Sequence, residues 1–503
     1  MSNSQEFQSK QSPSARDQDL NSWMTTGRFA LFLAAMVFLA CPGATLGTLT
    51  FYLRDYAVFT YPEAFFYHET FWNGTLPLWN PWSNCGIPFL AQWNTVALYP
   101  GSLIYLLLPL PWSLGFFMLA HQYFAGLGMF LLARRWTGCS VAAAVAGTVF
   151  AFNGLAQGSF MWASNFPVYC WMPWVILTLQ TAWMEGGAKN IGLASLAGAA
   201  QMLAGAPELI AQTWFVAVCF LGAHLMAHKE SRRRAVLAFA AVVLLVTLLS
   251  AAQLLPFADF LAHSQRNTSF GSARWAMPLS GVLNYFAPLY HEFLGSQGVY
   301  TQPIQYWISS YYVGAATVTL ALIALVSVRK GPQAVIVGIL AVLAVFGIAM
   351  AMGKHGIYDM ARRLIPQIGL MQHAIKFVVL ATFAFPLLCA SGIASLLSMK
   401  PQAARTRLWI CAATLGVIFL AIALSALQKP TAATAQFNGP ITVVNLVVRA
   451  LFACLIFVVL RYLANPVRPK FQLEAVFVLL LLFWADLSTH SPNQHPVIDP
   501  SVY

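Results

Sequence analysis

The sequence predicts an all-α polytopic membrane protein. Of the 503 residues, 59% are hydrophobic and only 8% are charged, and the mean hydropathy is +0.68. Soluble domains carry about 25% charged residues, so this chain has too few to cover a water-facing surface. The apolar residues also fall into long runs, and a helix that crosses hydrocarbon needs roughly 20 of them.

Thirteen such runs are read, at about 29–53, 114–133, 139–157, 166–184, 190–205, 208–227, 235–255, 308–328, 333–352, 377–397, 407–427, 441–463 and 472–488. Gly, Asn and Gln interrupt the third to fifth. The runs divide the chain into a polar tail (1–28), a transmembrane region (29–488) and a short tail (489–503). The first run exceeds a signal-peptide core, which spans roughly 7–15 residues. Cys41 after Leu39-Ala40 gives a faint lipoprotein-type pattern, against which Phe38 argues.

The net charge of +12 comes from 27 Lys and Arg against 15 Asp and Glu. No basic stripe with interleaved stacking aromatics is present, so nucleic acid is set aside. Membrane topology and anionic lipid account for the cations better. With a cytoplasmic N-terminus, 18 Lys and Arg fall inside and 8 outside: Arg54, Arg266, Arg274, Lys354, Arg362, Arg363, Lys376 and Lys429. That distribution obeys the positive-inside rule except over 354–376. An odd number of spans then puts the C-terminus outside. Nine of the 15 acids also lie outside, and acids influence topology little, so their excess invites a functional reading.

Two outer loops are long, 54–113 and 256–307, and long connections are often functional. Residues 51–100 contain 15 aromatics, or 30% against 14% for the chain. Trp and Tyr favour the lipid–water boundary, so Tyr56–Trp72 reads as a helix on the membrane surface, started or broken at Pro62. The eight cysteines form no CxxC or Cys/His cluster, so neither a disulfide framework nor a zinc site is expected. The sequons at Asn73 and Asn267 carry meaning only in a glycosylating host. No repeat of matched Gly/Pro-broken spans, the mark of many transporters, is visible.

Several residues could carry chemistry. Asp55, after Arg54 at the outer end of the first span, reads as a general base or as half of an interfacial ion pair. Glu63 and His68, on the surface helix, read by default as surface polar groups. Glu208 follows Pro207 at a helix start, where an acid is ordinary, yet it sits at membrane depth. Asp259, His263 and Arg266 share a face if their helix continues. The segment 353–376 places Lys354, His355, Arg362, Arg363, His373 and Lys376 outside. Arg binds phosphate through a planar fork, so this is a phosphate site or a headgroup anchor. Arg449 lies mid-span and should meet a neighbouring carbonyl or acid.

The ordered motifs resemble the YfhO-like bacterial membrane proteins, which are similar to C-type (GT-C) glycosyltransferases. They are Arg54-Asp55 with Pro62, GTLPLWNPWSNCGIPFLA, ALYPGSLIYLLLP, AHQYFAGLGMFLLARRW, AGAPELIAQ, LLPFADFLAHSQRN, YYVGAATVTLALIAL, GKHGIYDMARRLIPQIGLMQHAIKFVV and WADLSTHSPNQHPVIDPSVY. The resemblance runs from about residue 29 to 503. It departs at Glu208, where many relatives carry Gln, and at Tyr503, beyond which longer relatives continue. It implies a GT-C-like bundle of about thirteen spans in a bacterial cytoplasmic membrane. A polyprenyl-phosphate sugar would be the donor and a cell-envelope glycan or glycolipid the acceptor. Asp55 would be the base of an inverting transfer, and the Arg362/Arg363 region would hold the lipid phosphate. No cofactor is implied, and a metal site built from distant acids stays open. The alternatives are a lipid or polysaccharide transporter and a non-catalytic lipid-binding relative.

Overall fold

The computed structural model describes residues 24–266, 275–295, 297–371, 373–428, 437–465 and 471–503. Most of the predicted tail 1–28, the sequon at Asn267, Arg274 and Lys429 lie outside them. In chain order the principal helices are α1 (Thr26–Ala40), α2 (Tyr61–Trp72), α3 (Trp112–Thr137), α4 (Ser140–Phe152), α5 (Asn165–Glu185), α6 (Ala188–Leu203), α7 (Pro207–Ala227), α8 (Arg232–Leu249) and α9 (Ala251–Ala262). The second half adds α10 (Ala315–Ser327), α11 (Pro332–Ala351), α12 (Tyr358–Leu364), α13 (Val378–Ser398), α14 (Pro401–Ala426), α15 (Gly439–Ala464) and α16 (Gln472–Ser488).

Helix α4 is the axis of the bundle. Every residue of its sequence SVAAAVAGTVFAF is buried, and it packs on α3, α13 and α16. Lipid tails are as apolar as Leu, so small residues that let backbones approach closely decide where helices meet in a membrane. Gly147 illustrates this. A Cβ there would lie 2.6 Å from the carbonyl oxygen of Gly126 on α3 and 2.6 Å from the Phe29 ring. At the periphery, α14 exposes Trp409, Ile410, Val417, Leu420 and Leu424, a face that suits lipid and not water.

Each of the thirteen predicted runs contains a helix, but among the described residues seven helices are long and apolar enough to cross a membrane. The number is eight if α8 and α9, bent by 75°, count as one broken span. Six of the predicted runs fall outside those seven, and three of the six differ for local reasons. The run 29–53 breaks at Cys41, where Pro42 opens a five-residue helix that Gly47 ends in the left-handed region. The run 235–255 turns at Ser250 and stays helical to Ala262, so the second long loop begins later than residue 256. The run 308–328 is helical only from Ala315, because 308–314 is buried, non-helical chain.

Arg449 of α15 meets Asp486 of α16, with Nη1 2.9 Å from Oδ1, and both side chains are buried. Its other nitrogen donates to the Thr489 hydroxyl at 3.0 Å, and Tyr312 donates to Asp486 Oδ2 at 3.0 Å. The mid-span cation therefore has an acid beside it. Among the described residues, three short antiparallel strand pairs complete the fold. In one, β1 (Thr50–Phe51) runs antiparallel to the late strand Val497–Ile498. The Tyr503 ring stacks on Tyr61 at 4.0 Å, and its hydroxyl donates to the Phe51 carbonyl. The tail 489–503 is thus pinned to the chain just before Asp55.

Removing one partner of a buried ion pair strands the other charge, at a cost of about 3–5 kcal/mol. Arg449→Met should therefore lower thermal stability in detergent strongly, and adding Asp486→Leu should recover much of the loss. A single variant that melts like the wild type would show that the pair contributes nothing.

Candidate functional site

Asp55 is set by the irregular chain ahead of it. Arg54 takes φ 48°, a region non-glycine residues seldom adopt. Its guanidinium donates to the Tyr306 carbonyl. Burial pulls its pKa down, while neighbouring Asp55 pushes it up. The chain then enters a π-helical turn, Tyr56–Thr60, that runs directly into α2. The predicted surface helix is therefore one helical segment, with Pro62 in its first turn, where a missing N–H costs nothing.

Asp55 Oδ2 accepts the indole N–H of Trp162 at 2.5 Å. Thr60 donates to the Met161 carbonyl at 2.8 Å, which fixes the loop that carries Trp162. Trp162 stacks on Trp307 with ring centroids 5.3 Å apart and planes 12° apart. Lys376 Nζ lies 5.7 Å from the Trp307 centroid and pairs with Glu208. Glu208 also receives Arg266 at 2.8 Å, and Arg266 donates to the Leu370 carbonyl. An acid, two stacked indoles, a cation, a second acid and a second cation thus form one connected series.

Glu208 is held by the turn before it. Gly205 has φ 87°, and a Cβ there would lie 2.8 Å from the Trp93 carbonyl oxygen. The Trp93 indole donates to the Met202 carbonyl at 2.6 Å. Ala206, at φ 51°, completes the turn. Left-handed backbone at Arg54 and Ala206 thus adjoins both acids of the series, a placement common at functional sites.

The six basic and imidazole groups of 353–376 do not converge. Lys376 and His373 point inward, and His373 stacks on Trp275 at 4.2 Å. Arg362 lies 5.9 Å over the Tyr358 ring. With Arg363, Asp359 and Pro366 it lines an open groove of about 300 Å³. Lys354 and His355 are exposed on a turn before α12. Asp259 pairs with His263 at 3.5 Å, both well exposed, and the structure takes Arg266 to Glu208 instead.

Glu63 departs from the surface reading. It is only 9% exposed, and it faces a small pocket with Thr60, Asn94, Tyr105, Trp162 and Ser164. The neighbouring loop 94–96 folds over α2, a long-range contact that helical periodicity does not encode. Burial pushes its carboxyl up to about 8. Glu292, in the second long loop, is also buried and pushed up to about 8. Sequence reasoning built on charged residues missed Trp162 and Trp307. The Asn and Gln that interrupt 151–157 were the available sign that this stretch leaves the regular bundle.

No family model and no curated protein matches the chain. Among solved structures, ArnT from Cupriavidus metallidurans bound to undecaprenyl phosphate is similar, with a TM-score of 0.53 and 14% identity. The alignment covers 92% of this chain and 76% of that one. The apo state of the same protein aligns over equal shares at 16% identity and a TM-score of 0.49. The first likeness establishes a shared fold.

The buried Glu63 carboxyl holds its proton up to about 8, against an ordinary 4.5. Between those values the folded chain binds more protons than the unfolded chain, so the stabilisation is complete below about 4.5 and declines as pH rises. Thermal unfolding from pH 4.5 to 8 should show this decline, and Glu63→Gln should flatten it in part, since Glu292 titrates in the same window. An unchanged slope in Glu63→Gln would show that Glu63 is not held neutral.

Proposed function

We propose that this chain is a GT-C-type membrane glycosyltransferase. It moves a sugar from a polyprenyl-phosphate donor to a cell-envelope acceptor on the extracytoplasmic face of a bacterial membrane, with its N-terminus cytoplasmic. The observation that carries the reading is the series from Asp55 through the stacked Trp162 and Trp307 to Lys376. It connects a partly exposed carboxylate to a lysine ammonium that suits an anionic group. Shared fold with ArnT, which has been captured with undecaprenyl phosphate, supports it. So do the ordered motifs that resemble the YfhO-like proteins.

In this reading Trp162 holds one Asp55 oxygen and leaves the other to take the proton of an acceptor hydroxyl. The acceptor oxygen attacks the anomeric carbon in a single inverting displacement, through an oxocarbenium-like state. Lys376 stabilises the charge that develops on the departing phosphate. Arg362 and Arg363, in their open groove, guide the anionic carrier inward. The transporter alternative needs an ionisable residue along a path, and Arg449 is enclosed by Asp486 and Thr489.

Asp55→Asn should abolish transfer from a synthetic polyprenyl-phosphate sugar by purified protein, while insertion and melting temperature stay unchanged. Full activity in that variant would sink the mechanism. Trp162→Phe keeps the ring but removes the N–H. A hydrogen bond to a charged group contributes about 1.5–3 kcal/mol, so kcat should fall roughly 10- to 100-fold with KM little changed.

A further inference from the structure

Glu208 is an odd residue to find at a phosphate site. Its side chain is nearly buried and engages both Lys376 and Arg266, cations that would otherwise serve an anionic ligand. The three residues come from segments far apart in sequence, and the turn Gly205–Ala206 is built to present the acid there. A helix start alone would not need that arrangement, because an exposed acid in the first turn does the same for the helix. The carboxylate therefore stands where it competes with a phosphate for the same cations.

We propose that Glu208 is a resident competitor that limits how much more tightly the product phosphate is held than the donor. The inference rests on the glycosyltransferase reading above. In that transfer the acceptor oxygen bonds to the anomeric carbon, and the bond from that carbon to the phosphate oxygen breaks. The electron pair stays on the phosphate, and the acceptor proton goes to Asp55. The phosphodiester donor carries one negative charge. The monoester left behind carries about −1.5 to −2 at neutral pH, because its second ionisation lies near 6. Lys376 and Arg266 attract both species, and the dianion about twice as strongly. Glu208 repels both, but it repels the dianion about twice as strongly. The two cations alone would hold the dianionic product well above the donor; the fixed carboxylate cancels about half of that extra attraction, so the carrier leaves more readily than it would without Glu208.

The test measures binding, not turnover. The full chain in nanodiscs is titrated with farnesyl phosphate and with farnesyl methyl phosphate, and Kd is read from tryptophan fluorescence. Glu208→Gln should tighten the monoester roughly tenfold more than the diester, about 1.4 kcal/mol of selective repulsion removed. Glu208→Asp keeps the charge and should keep the wild-type ratio. At pH 5, where the monoester is mainly a monoanion, the ratio in Glu208→Gln should fall back to that of the wild type. Equal tightening of both probes in Glu208→Gln would overturn the proposal while leaving the donor reading intact. So would the same change of ratio in Glu208→Asp, since geometry and not charge would then be responsible. If neither probe binds the wild type, the donor reading itself fails, and this role with it.

Discussion

A charge inside an apolar bundle has to be met by protein, because no water is there to meet it. This chain has few charges, and the buried ones organise much of its long-range order. Glu208 ties the start of α7 to Arg266, beyond α9, and to Lys376, ahead of α13. Asp486 ties α16 to α15 through Arg449 and to the approach to α10 through Tyr312. These pairs are weak evidence of net stability, since desolvation offsets much of the attraction. Their effect is on register: a helix that slid or turned would leave a charge stranded.

The segments around the candidate site obey the same constraint through hydrogen bonds. Irregular backbone at membrane depth survives only where protein satisfies its polar groups. Asn153 caps a short helix by accepting from Ala156, Gln157 donates to the Leu487 carbonyl, and Gln305 accepts from Trp307 and Ile308. These polar side chains replace the ladder that a regular helix would have supplied. Gln305 fixes the Trp307 loop directly, by accepting its backbone N–H. The rigidity of the site therefore comes from side-chain bonds within loops as much as from the helices below.

Much of the helical pattern was readable, because apolar run length is set locally. All thirteen runs contain a helix, and the break at Pro42 and the turn at Gly205 involve residue types that commonly mark turns. Asp55, Glu208, Arg266 and Lys376 were all singled out by charge. Their connection was not, since it depends on contacts across the chain. Nothing local says that Arg266 turns to Glu208 rather than to Asp259, on the helix that ends just before it. Glu63 reads by default as a surface polar group because its helix reads as lying on the membrane, and only residues 94–96, which line the same pocket, decide otherwise. The tryptophans escaped notice for a related reason: in an aromatic-rich membrane chain, a Trp that orients an acid looks like any other.

The pairing of Thr50–Phe51 with Val497–Ile498 has a consequence for biosynthesis. The Tyr503 hydroxyl reaches a carbonyl 452 residues away in sequence. The segment that leads into Asp55 enters the membrane early, while the strand that braces it is translated after almost every helix between them. Insertion is thus sequential, but completion of this region is not. Until Val497–Ile498 is made, the edge of Thr50–Phe51 has no strand to pair with.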